Sequence, residues 1–387
     1  MSAETTRPRV LVIIGTRPEG IKLAPVVDGL RARAEVEVKV ALTGQHTDLL
    51  DQVLQAFALP VDWDLGIMRE GQDLYDLAHG CLSALRGVVE EYRPGLVLVE
   101  GDTASVFFGA LVSYFERTRV GHVEAGLRSR DKWRPFPEEI FRRLTGVMAD
   151  YHFAPTPGAR QNLLHEGVDP DTVYLTGNTV VDALQRIAAA EHPVENAVLR
   201  DAAASGQRLV LITAHRRESF GEPLRRAFRA IRAAADRYDD VVFVYPVHPN
   251  PQVRAPADEV LGDHPRIRLT EPLSYIDLVT ALRRSALVLT DSGGIQEEAP
   301  TFGVPVLVLR EVTERPEAVN AGVARLVGTD PEAIAAGIDE WLGVRFQRAG
   351  GFWNPYGDGH AGARIADIVV HALTGAPRHT TDWDGVP

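Results

Sequence analysis

Short runs of valine, isoleucine and leucine recur along this chain, with helix-length amphipathic segments between them. The runs are continuously apolar, and such strands belong in a parallel sheet covered by helices on both faces. The pattern therefore predicts an α/β fold in which strands and helices alternate. The predicted strands fall into two series, 9–14, 36–42, 95–100, 119–124, 151–155 and 172–177, then 207–215, 241–249, 267–272, 286–291 and 304–310.

A segment without any strand signal separates the two series. Residues 183–206 are alanine-rich and polar, which predicts a helix and a linker. Because a chain of 387 residues is long for one hydrophobic core, we expect two doubly wound, Rossmann-like domains. Open parallel sheets bind ligands at the carboxyl ends of their strands. The residues just after each apolar run are therefore the candidates for chemistry.

The composition excludes several classes of protein. A net charge of -12 argues against a nucleic-acid partner, which needs a basic face. The single cysteine, Cys81, rules out a disulfide framework, and the histidines lack the spacing of a metal site, so no metal is predicted. No run approaches the roughly 20 apolar residues of a membrane span. We expect a cytoplasmic protein with no membrane insertion.

Basic side chains follow the first strand of each series. Arg17 and Lys22 lie at a predicted helix start, where backbone amides and positive charge favour an anion. A solvated, charged helix start would give the same pattern. His215 follows the first strand of the second series and could donate to an anion, whereas His248 is interpreted as a loop histidine.

Three acidic residues stand at or just after strand ends of the first series. Asp102, Glu124 and Glu138 could each be a helix cap or a dipole partner when taken alone. Together they would repel one another, which raises the pKa of at least one carboxyl and suits proton transfer near neutral pH. Adjacent helical positions differ by about 100°, so only one of Glu138 and Glu139 should face the crevice.

The stretch "DSGGIQEE" follows the fourth strand of the second series and opens a helix. Ser292, Gly293 and Gly294 would present bare backbone N–H groups to a phosphate. Glu298, one turn later, could accept hydrogen bonds from ribose hydroxyls, as acids do in dinucleotide sites. Glu297 is interpreted as a surface or packing partner. The alternative is a serine-capped surface helix.

Taken together, these motifs resemble the non-hydrolysing UDP-N-acetylglucosamine 2-epimerases over nearly the whole chain. The resemblance rests on "GTRPEGIKLAP", "TGQH", "GDTAS", "GHVEAGLRS", "PEEIFRRLTG", "TGNTVVDAL", "AHRRESFGEPL", "YPVHPNPQVR", "LTDSGGIQEEAP", "TERPEAV" and "NPYGDGHA". It implies a GT-B type fold with an interdomain active-site cleft. The expected domains are 1–182 plus 362–387, whose last helix returns to the first domain, and 183–361, which binds UDP.

The resemblance also implies an activity. The family interconverts UDP-N-acetylglucosamine and UDP-N-acetylmannosamine by eliminating UDP, forming 2-acetamidoglucal and adding UDP back, with no cofactor and usually as a homodimer. Pro18 and Glu19 favour the non-hydrolysing branch. The matching positions are Asp102, Glu124, Glu138 and His215 for catalysis, Arg17, Lys22, Leu273, Leu278, Ser292, Gly293, Gly294, Glu298 and Arg315 for UDP, and Gln45 and His46 for a possible allosteric site.

Two other functions fit part of this pattern. A GT-B glycosyltransferase would share the nucleotide half of the site, but it would not need three acids in the first domain. A hydrolysing or natural-product variant would act on the same UDP-sugar. A sensor that only binds the nucleotide sugar is disfavoured because all three acids are present.

Overall fold

The computed structural model describes residues 7–44, 48–69, 71–343 and 353–385. The chain divides into two compact units, one running up to Ala183 and resuming at Tyr356, the other spanning Leu184–Pro355. Gln45 and His46, the possible allosteric pair, lie outside the described residues. Within the described residues, no helix is both long enough and apolar enough to cross a membrane.

The first unit is built on a seven-stranded parallel sheet with the order β3-β2-β1-β4-β5-β6-β7. Its strands are β1 (Arg9–Ile14), β2 (Glu37–Leu42), β3 (Trp63–Asp64), β4 (Leu96–Glu100), β5 (Arg119–Val123), β6 (Tyr151–Ala154) and β7 (Val173–Leu175). Its helices are α1 (Arg17–Arg31), α2 (Asp48–Ala56), α3 (Leu74–Tyr92), α4 (Ala104–Phe115), α5 (Glu138–Met148) and α6 (Pro157–His165). Helix α7 (Thr179–Ala189) crosses the boundary between the units.

The second unit is built on a six-stranded parallel sheet with the order β10-β9-β8-β11-β12-β13. Its strands are β8 (Arg208–Thr213), β9 (Val241–Pro246), β10 (Ile267–Thr270), β11 (Ser285–Thr290), β12 (Val306–Val308) and β13 (Ala324–Leu326). Its helices are α8 (Ala197–Ala204), α9 (Glu222–Arg237), α10 (Pro251–Leu261), α11 (Tyr275–Arg284), α12 (Gly293–Glu298), α13 (Pro316–Asn320) and α14 (Pro331–Gly343). Helix α15 (Ala361–Thr374) follows and belongs to the first unit.

The predicted fold class is confirmed, since both sheets are parallel and alternate with helices. The sequence pattern missed two edge strands, β3 and β13, because runs of two and three residues are too short to read as strands. The returning segment begins at Tyr356, earlier than the predicted residue 362. The backbone N–H of Asn178 donates to the Tyr356 carbonyl at 2.7 Å, which attaches this segment to the first unit.

The strand order reverses at one point in each sheet. In the first unit β1 lies between β2 and β4, and in the second β8 lies between β9 and β11. The loops that leave two such neighbouring strands diverge to opposite faces, which opens a crevice at their carboxyl ends. The candidate residues of the first unit follow β1, β4 and β5. Those of the second follow β8, β10, β11 and β12.

Helix α15 packs against α1 at two glycines. A Cβ on Gly362 would lie 2.8 Å from the backbone of Pro25, and one on Gly29 would lie 2.9 Å from the Cβ of Ala366. Such distances are far inside van der Waals contact, so the two helices can approach this closely only because both residues lack a side chain. Close packing of these helices attaches the returning segment to the first unit.

Gly362→Ala is expected to lower the free energy of unfolding by about 1–3 kcal/mol, because the added methyl group overpacks the α1–α15 contact. Gly87→Ala in α3 is the matched control, since a Cβ there meets open space. That change should be neutral or stabilise the protein by up to about 1 kcal/mol through helix propensity. Urea denaturation compares the two variants, and equal effects would contradict the packing argument.

Candidate active site

Arg142 holds together two of the three predicted acids. Its Nη2 lies 2.6 Å from Oδ2 of Asp102 and 3.3 Å from Oε1 of Glu124, and its Nη1 donates to the Glu124 carbonyl at 2.6 Å. Asp102 follows β4 and Glu124 follows β5, while Arg142 lies on α5. The guanidinium therefore neutralises part of the charge that these neighbouring carboxylates bring to the sheet edge.

Glu124 adopts a conformation that is uncommon for a side chain of its size. Its φ is +61°, which directs its buried carboxylate toward Lys22 and Arg142. Strained backbone of this kind costs about 1–3 kcal/mol and tends to occur at functional sites. Lys22 bonds Glu124 and lies 3.4 Å from Oε1 of Glu100. Lys22, predicted to contact UDP, thus contacts two carboxylates of the first unit in this structure.

Glu138 and Glu139 play different roles, as their adjacent helical positions require. Glu139 is buried, and its oxygens accept the backbone N–H groups of Ser129 at 2.9 Å and Arg130 at 3.2 Å. It therefore fixes the loop that precedes α5. Glu138 lies one turn before Arg142 on the same helix. Its Oε2 is shielded from solvent and has no hydrogen-bond partner among the described residues.

Two further carboxyl groups, not predicted as site residues, lie beside the acids. Glu19 is only 2% exposed and accepts hydrogen bonds from Gly15 N–H at 2.6 Å, the Thr16 hydroxyl at 2.8 Å and the Thr103 hydroxyl at 2.9 Å. Burial raises its pKa to about 7. Burial also raises the pKa of Glu100 well above the usual range for a glutamate. Both groups therefore hold protons more readily than an exposed glutamate.

The basic residues near β5 mainly support the loops. Burial lowers the pKa of His122 to about 3, so its ring is neutral, and its Nε2 lies 2.7 Å from the Gly101 carbonyl. That contact stabilises the turn that precedes Asp102. Arg128 forms two hydrogen bonds with Glu166, 2.9 and 2.7 Å long, and so it is tied to the end of α6.

In the second unit, the loop between β11 and α12 requires one correction to the sequence prediction. Ser292 was expected to offer its backbone N–H to a phosphate, but that group donates to the Thr290 hydroxyl at 2.9 Å. The Ser292 side chain makes no capping hydrogen bond to α12. The first amides of a helix have no intrahelical acceptor. The amides that remain for an anion are therefore those of Gly293, Gly294 and the residue after them.

The two glycines leave open space in front of these amides. A Cβ on Gly293 would come no closer than 3.8 Å to Nη2 of Arg216, and one on Gly294 would lie 3.4 Å from Oε1 of Glu298. Neither glycine has a positive φ. The fold itself would therefore tolerate side chains here, and the absence of side chains keeps the amides accessible. Arg216 and Glu298 flank the same space.

Glu297 faces the interior and pairs with Arg315. Glu297 is 2% exposed, and its Oε1 accepts from Nε of Arg315, which precedes α13. This confirms that Glu297 is a packing partner, and it fixes the guanidinium predicted to contact UDP. Gln296 reinforces the contact, because its Oε1 accepts from the Thr313 hydroxyl at 2.6 Å and its Nε2 donates to the Ser292 carbonyl at 3.1 Å.

His215 is oriented by a buried aspartate that the sequence analysis missed. One oxygen of Asp291 accepts the backbone N–H groups of His215 at 2.7 Å and Arg216 at 2.8 Å, and the other lies 3.6 Å from Nδ1 of His215. His248, interpreted as a loop histidine, stacks on the His215 ring with centroids 5.6 Å apart. Burial lowers the pKa of His215, and the negative charge of Asp291 partly opposes this effect.

The two leucines assigned to the uracil side lie near the start of α11. Leu273 is buried just before the helix, and Leu278 is half-buried within it. Among the described residues, no group of three or more His, Cys, Asp or Glu side chains could hold a metal ion.

Arg142→Ala is expected to lower the free energy of unfolding by about 3–5 kcal/mol, because it removes the cation that pairs with the half-buried Asp102 and one of the two cations that pair with the buried Glu124. The control is Arg86→Ala, which removes a solvent-exposed pair with Glu90. Exposed pairs contribute little, so this variant should unfold like the parent protein. Chemical denaturation of both variants at pH 7 checks the difference. A similar small loss of unfolding free energy in both variants would show that the Arg142 guanidinium does not stabilise the acid cluster.

Comparison with known proteins agrees with the resemblance seen in the motifs. The sequence model of the family described as UDP-N-acetylglucosamine 2-epimerase matches residues 28–370. The UDP-N-acetylglucosamine 2-epimerase of Bacillus subtilis is 46% identical over 366 residues, covering 94% of this chain and 95% of the relative.

Solved structures give the same result. The structure of the UDP-GlcNAc 2-epimerase from Neisseria meningitidis bound to UDP-GlcNAc has a TM-score of 0.83 and 40% identity. The match covers 95% of this chain and 100% of the Neisseria chain. The complex of S. aureus MnaA with UDP has a TM-score of 0.86 and 41% identity. The match covers 97% of this chain and 100% of the MnaA chain. This chain therefore belongs to the UDP-N-acetylglucosamine 2-epimerase family.

Proposed function

We propose that this chain is a non-hydrolysing epimerase that interconverts UDP-N-acetylglucosamine and UDP-N-acetylmannosamine without a cofactor. The observation that carries the proposal is the acid cluster of the first unit, in which Asp102 and Glu124 share Arg142. A cluster of buried acids is costly for a purely structural role and useful for proton transfer. A related solved structure with UDP-GlcNAc bound supports the choice of substrate.

The proposed reaction begins with an elimination. A carboxylate of the cluster takes the proton from C2 of the sugar, and the C2–H electron pair forms the C1–C2 double bond of 2-acetamidoglucal. The C1–O bond breaks at the same time, and its electrons leave with the diphosphate oxygen of UDP. UDP then adds back to C1 as an acid protonates C2 on the opposite face. Asp102, Glu124 and Glu138 are the groups proposed for these proton transfers.

The second unit is proposed to bind UDP and stabilise its departure. The amides of Gly293 and Gly294 would receive the diphosphate, with Arg216 beside them. Glu298 would accept hydrogen bonds from the ribose hydroxyls, and His215 would stabilise the charge that develops on the leaving group. Preorganised donors of this kind need no rearrangement as the charge appears. Arg17, Arg315, Leu273 and Leu278 complete the proposed nucleotide contacts.

Incubation with UDP-N-acetylglucosamine in deuterium oxide, followed by NMR, tests the reaction. The proposed route must replace the C2 hydrogen by deuterium in both epimers, because the proton is lost to the enzyme in every turnover. A hydrolysing enzyme would release free sugar, and a glycosyltransferase would leave the C2 hydrogen in place. Either result would contradict the proposal.

Asp102→Asn and Glu124→Gln are expected to slow turnover by at least about 100-fold, since general acid–base catalysis contributes roughly 10²–10⁴-fold. The Kd for UDP should stay within about threefold, because these residues are proposed to act on the sugar and not on the nucleotide. Glu91→Gln on the exposed surface of α3 is the matched control and should behave like the parent protein. Calorimetry with UDP beside the rate assay separates binding from catalysis. Near-normal rates in both site variants would remove these residues from the proton transfers.

We further propose that the chain forms a homodimer through an apolar face of α4 and α5. These helices pack against each other, and Phe107 stacks on Phe141 with ring centroids 4.8 Å apart. Further along the same helices, Phe115 is 63% exposed and Val147 is 83% exposed. Clusters of exposed apolar side chains of this kind mark interaction surfaces. A second copy of the chain would cover this face.

Val147→Asp is expected to convert the dimer to a monomer, because it would bury a carboxylate in the apolar contact. Val312→Asp in the second unit is the matched control, since Val312 is 73% exposed and lies elsewhere. Light scattering after size-exclusion chromatography gives the mass of each variant. A dimer that survives Val147→Asp would place the interface on another surface.

A further inference from the structure

Two threonines stand at helix starts without capping their helices. Thr16 precedes α1 and Thr103 precedes α4, yet neither side chain bonds to a helix N–H group. A threonine at this position normally accepts such a bond, which stabilises a helix by about 1 kcal/mol. Thr156, before α6, behaves in this usual way and accepts from the N–H of Ala159 at 3.2 Å.

Both threonine hydroxyls donate to the same oxygen of Glu19. The distances to Oε1 are 2.8 Å from Thr16 and 2.9 Å from Thr103. The other oxygen accepts the N–H of Gly15 at 2.6 Å. An ionised carboxylate accepts these three donors most strongly, because a protonated one has lost its negative charge and carries a donor of its own. A single buried side chain thus accepts the two hydroxyls that would otherwise be available to cap α1 and α4.

This arrangement joins the two loops at the switch point of the first sheet. Gly15 and Thr16 follow β1, and Thr103 follows β4, the strand next to it. Thr103 is the immediate neighbour of Asp102. The Asp102 carboxylate is held by Arg142 at 2.6 Å, and the backbone beside it is held through Thr103. Helix capping alone would require neither hydroxyl to turn toward Glu19.

We propose that Glu19 is a positioning residue, which fixes Asp102 for proton transfer through the hydroxyl of Thr103. The inference rests on the proposed epimerase function. Glu19 does not reach the substrate in this scheme. It acts by keeping the loop after β4 in one conformation, so that the Asp102 carboxylate meets the sugar carbon in every turnover. Small losses of such alignment lower rates strongly.

The negative charge of Glu19 should affect the positioning of Asp102, in addition to the shape of the side chain. The titratable groups coupled to it include Asp102, Glu100 and Cys81. Lys22, on the same helix, lies 3.4 Å from Oε1 of Glu100 and is the nearby cation. Burial raises the pKa of Glu19 to about 7, so it ionises within the working range of a neutral enzyme. Below that pH the protonated carboxyl loses its negative charge, so the hydrogen bond that it accepts from Thr103 weakens.

Substitutions at Thr103 test the link without touching Glu19. Thr103→Val removes the hydroxyl but keeps the shape, and it should lower kcat about tenfold with KM changed less than twofold. Thr103→Ser keeps the hydroxyl and should stay within about threefold of the parent kcat. The control is Thr156→Val, which removes a true helix cap and should lower Tm without changing kcat. Equal rates for Thr103→Val and Thr103→Ser would overturn the proposal.

The pH profile of Glu19→Gln tests the role of the charge. Glutamine resembles the protonated acid, so the ratio of parent kcat to variant kcat should be near 1 at pH 6. That ratio should rise about tenfold by pH 8.5, as Glu19 ionises in the parent protein alone. A ratio that is constant across this range would show that the carboxylate charge has no role in positioning.

Hydrogen exchange tests the positioning role of Glu19 without a measurement of epimerase activity. Thr103→Val and Glu19→Gln at pH 8.5 should speed amide exchange at residues 101–106, which form the loop after β4 and the start of α4, and Thr156→Val should not. If the parent protein lacks epimerase activity, the proposed function fails while the exchange data still report the link. Unchanged exchange in that loop for Thr103→Val would overturn the positioning role, whatever the rates.

Discussion

The crowding of carboxylates at one edge of the first sheet is the constraint on which the rest of the site depends. Glu19, Glu100, Asp102 and Glu124 all lie in or next to the strands β1, β4 and β5. Like charges at such short range repel strongly where water is scarce. Two features of the fold reduce this repulsion. Arg142 and Lys22 compensate charge, and burial favours the protonated form of Glu19 and Glu100.

The parallel topology explains why these acids meet. In a parallel sheet every strand ends at the same edge, so residues far apart in sequence become neighbours there. Asp102 and Glu124 are separated by a whole helix and strand, yet both contact one guanidinium. The order of strands also places the loop after β1 beside the loop after β4. Without that reversal the Thr103 hydroxyl would not reach Glu19.

The apolar runs predicted most of both sheets, because buried parallel strands leave a strong signal over five or six residues. Strands of two or three residues, such as β3, are too short to give a sequence signal. Their extended conformation depends on hydrogen bonds to the strands beside them. Residues in recognisable motifs, such as Glu138 and Gly293, could be selected as candidates from sequence. Arg142 and Asp291 lie in the same motifs but were not selected, because their importance comes from partners that only the folded chain brings near.

The two units use charge in opposite ways. In the first, the cations Arg142 and Lys22 compensate the clustered acids, which are the groups proposed to transfer protons. In the second, buried acids hold the donors, with Asp291 fixing the backbone of His215 and Glu297 fixing Arg315. This explains why carboxylates follow a loop suited to an anion. A buried acid behind a donor restricts its motion and preserves its charge, while the two glycines leave the front of the loop open.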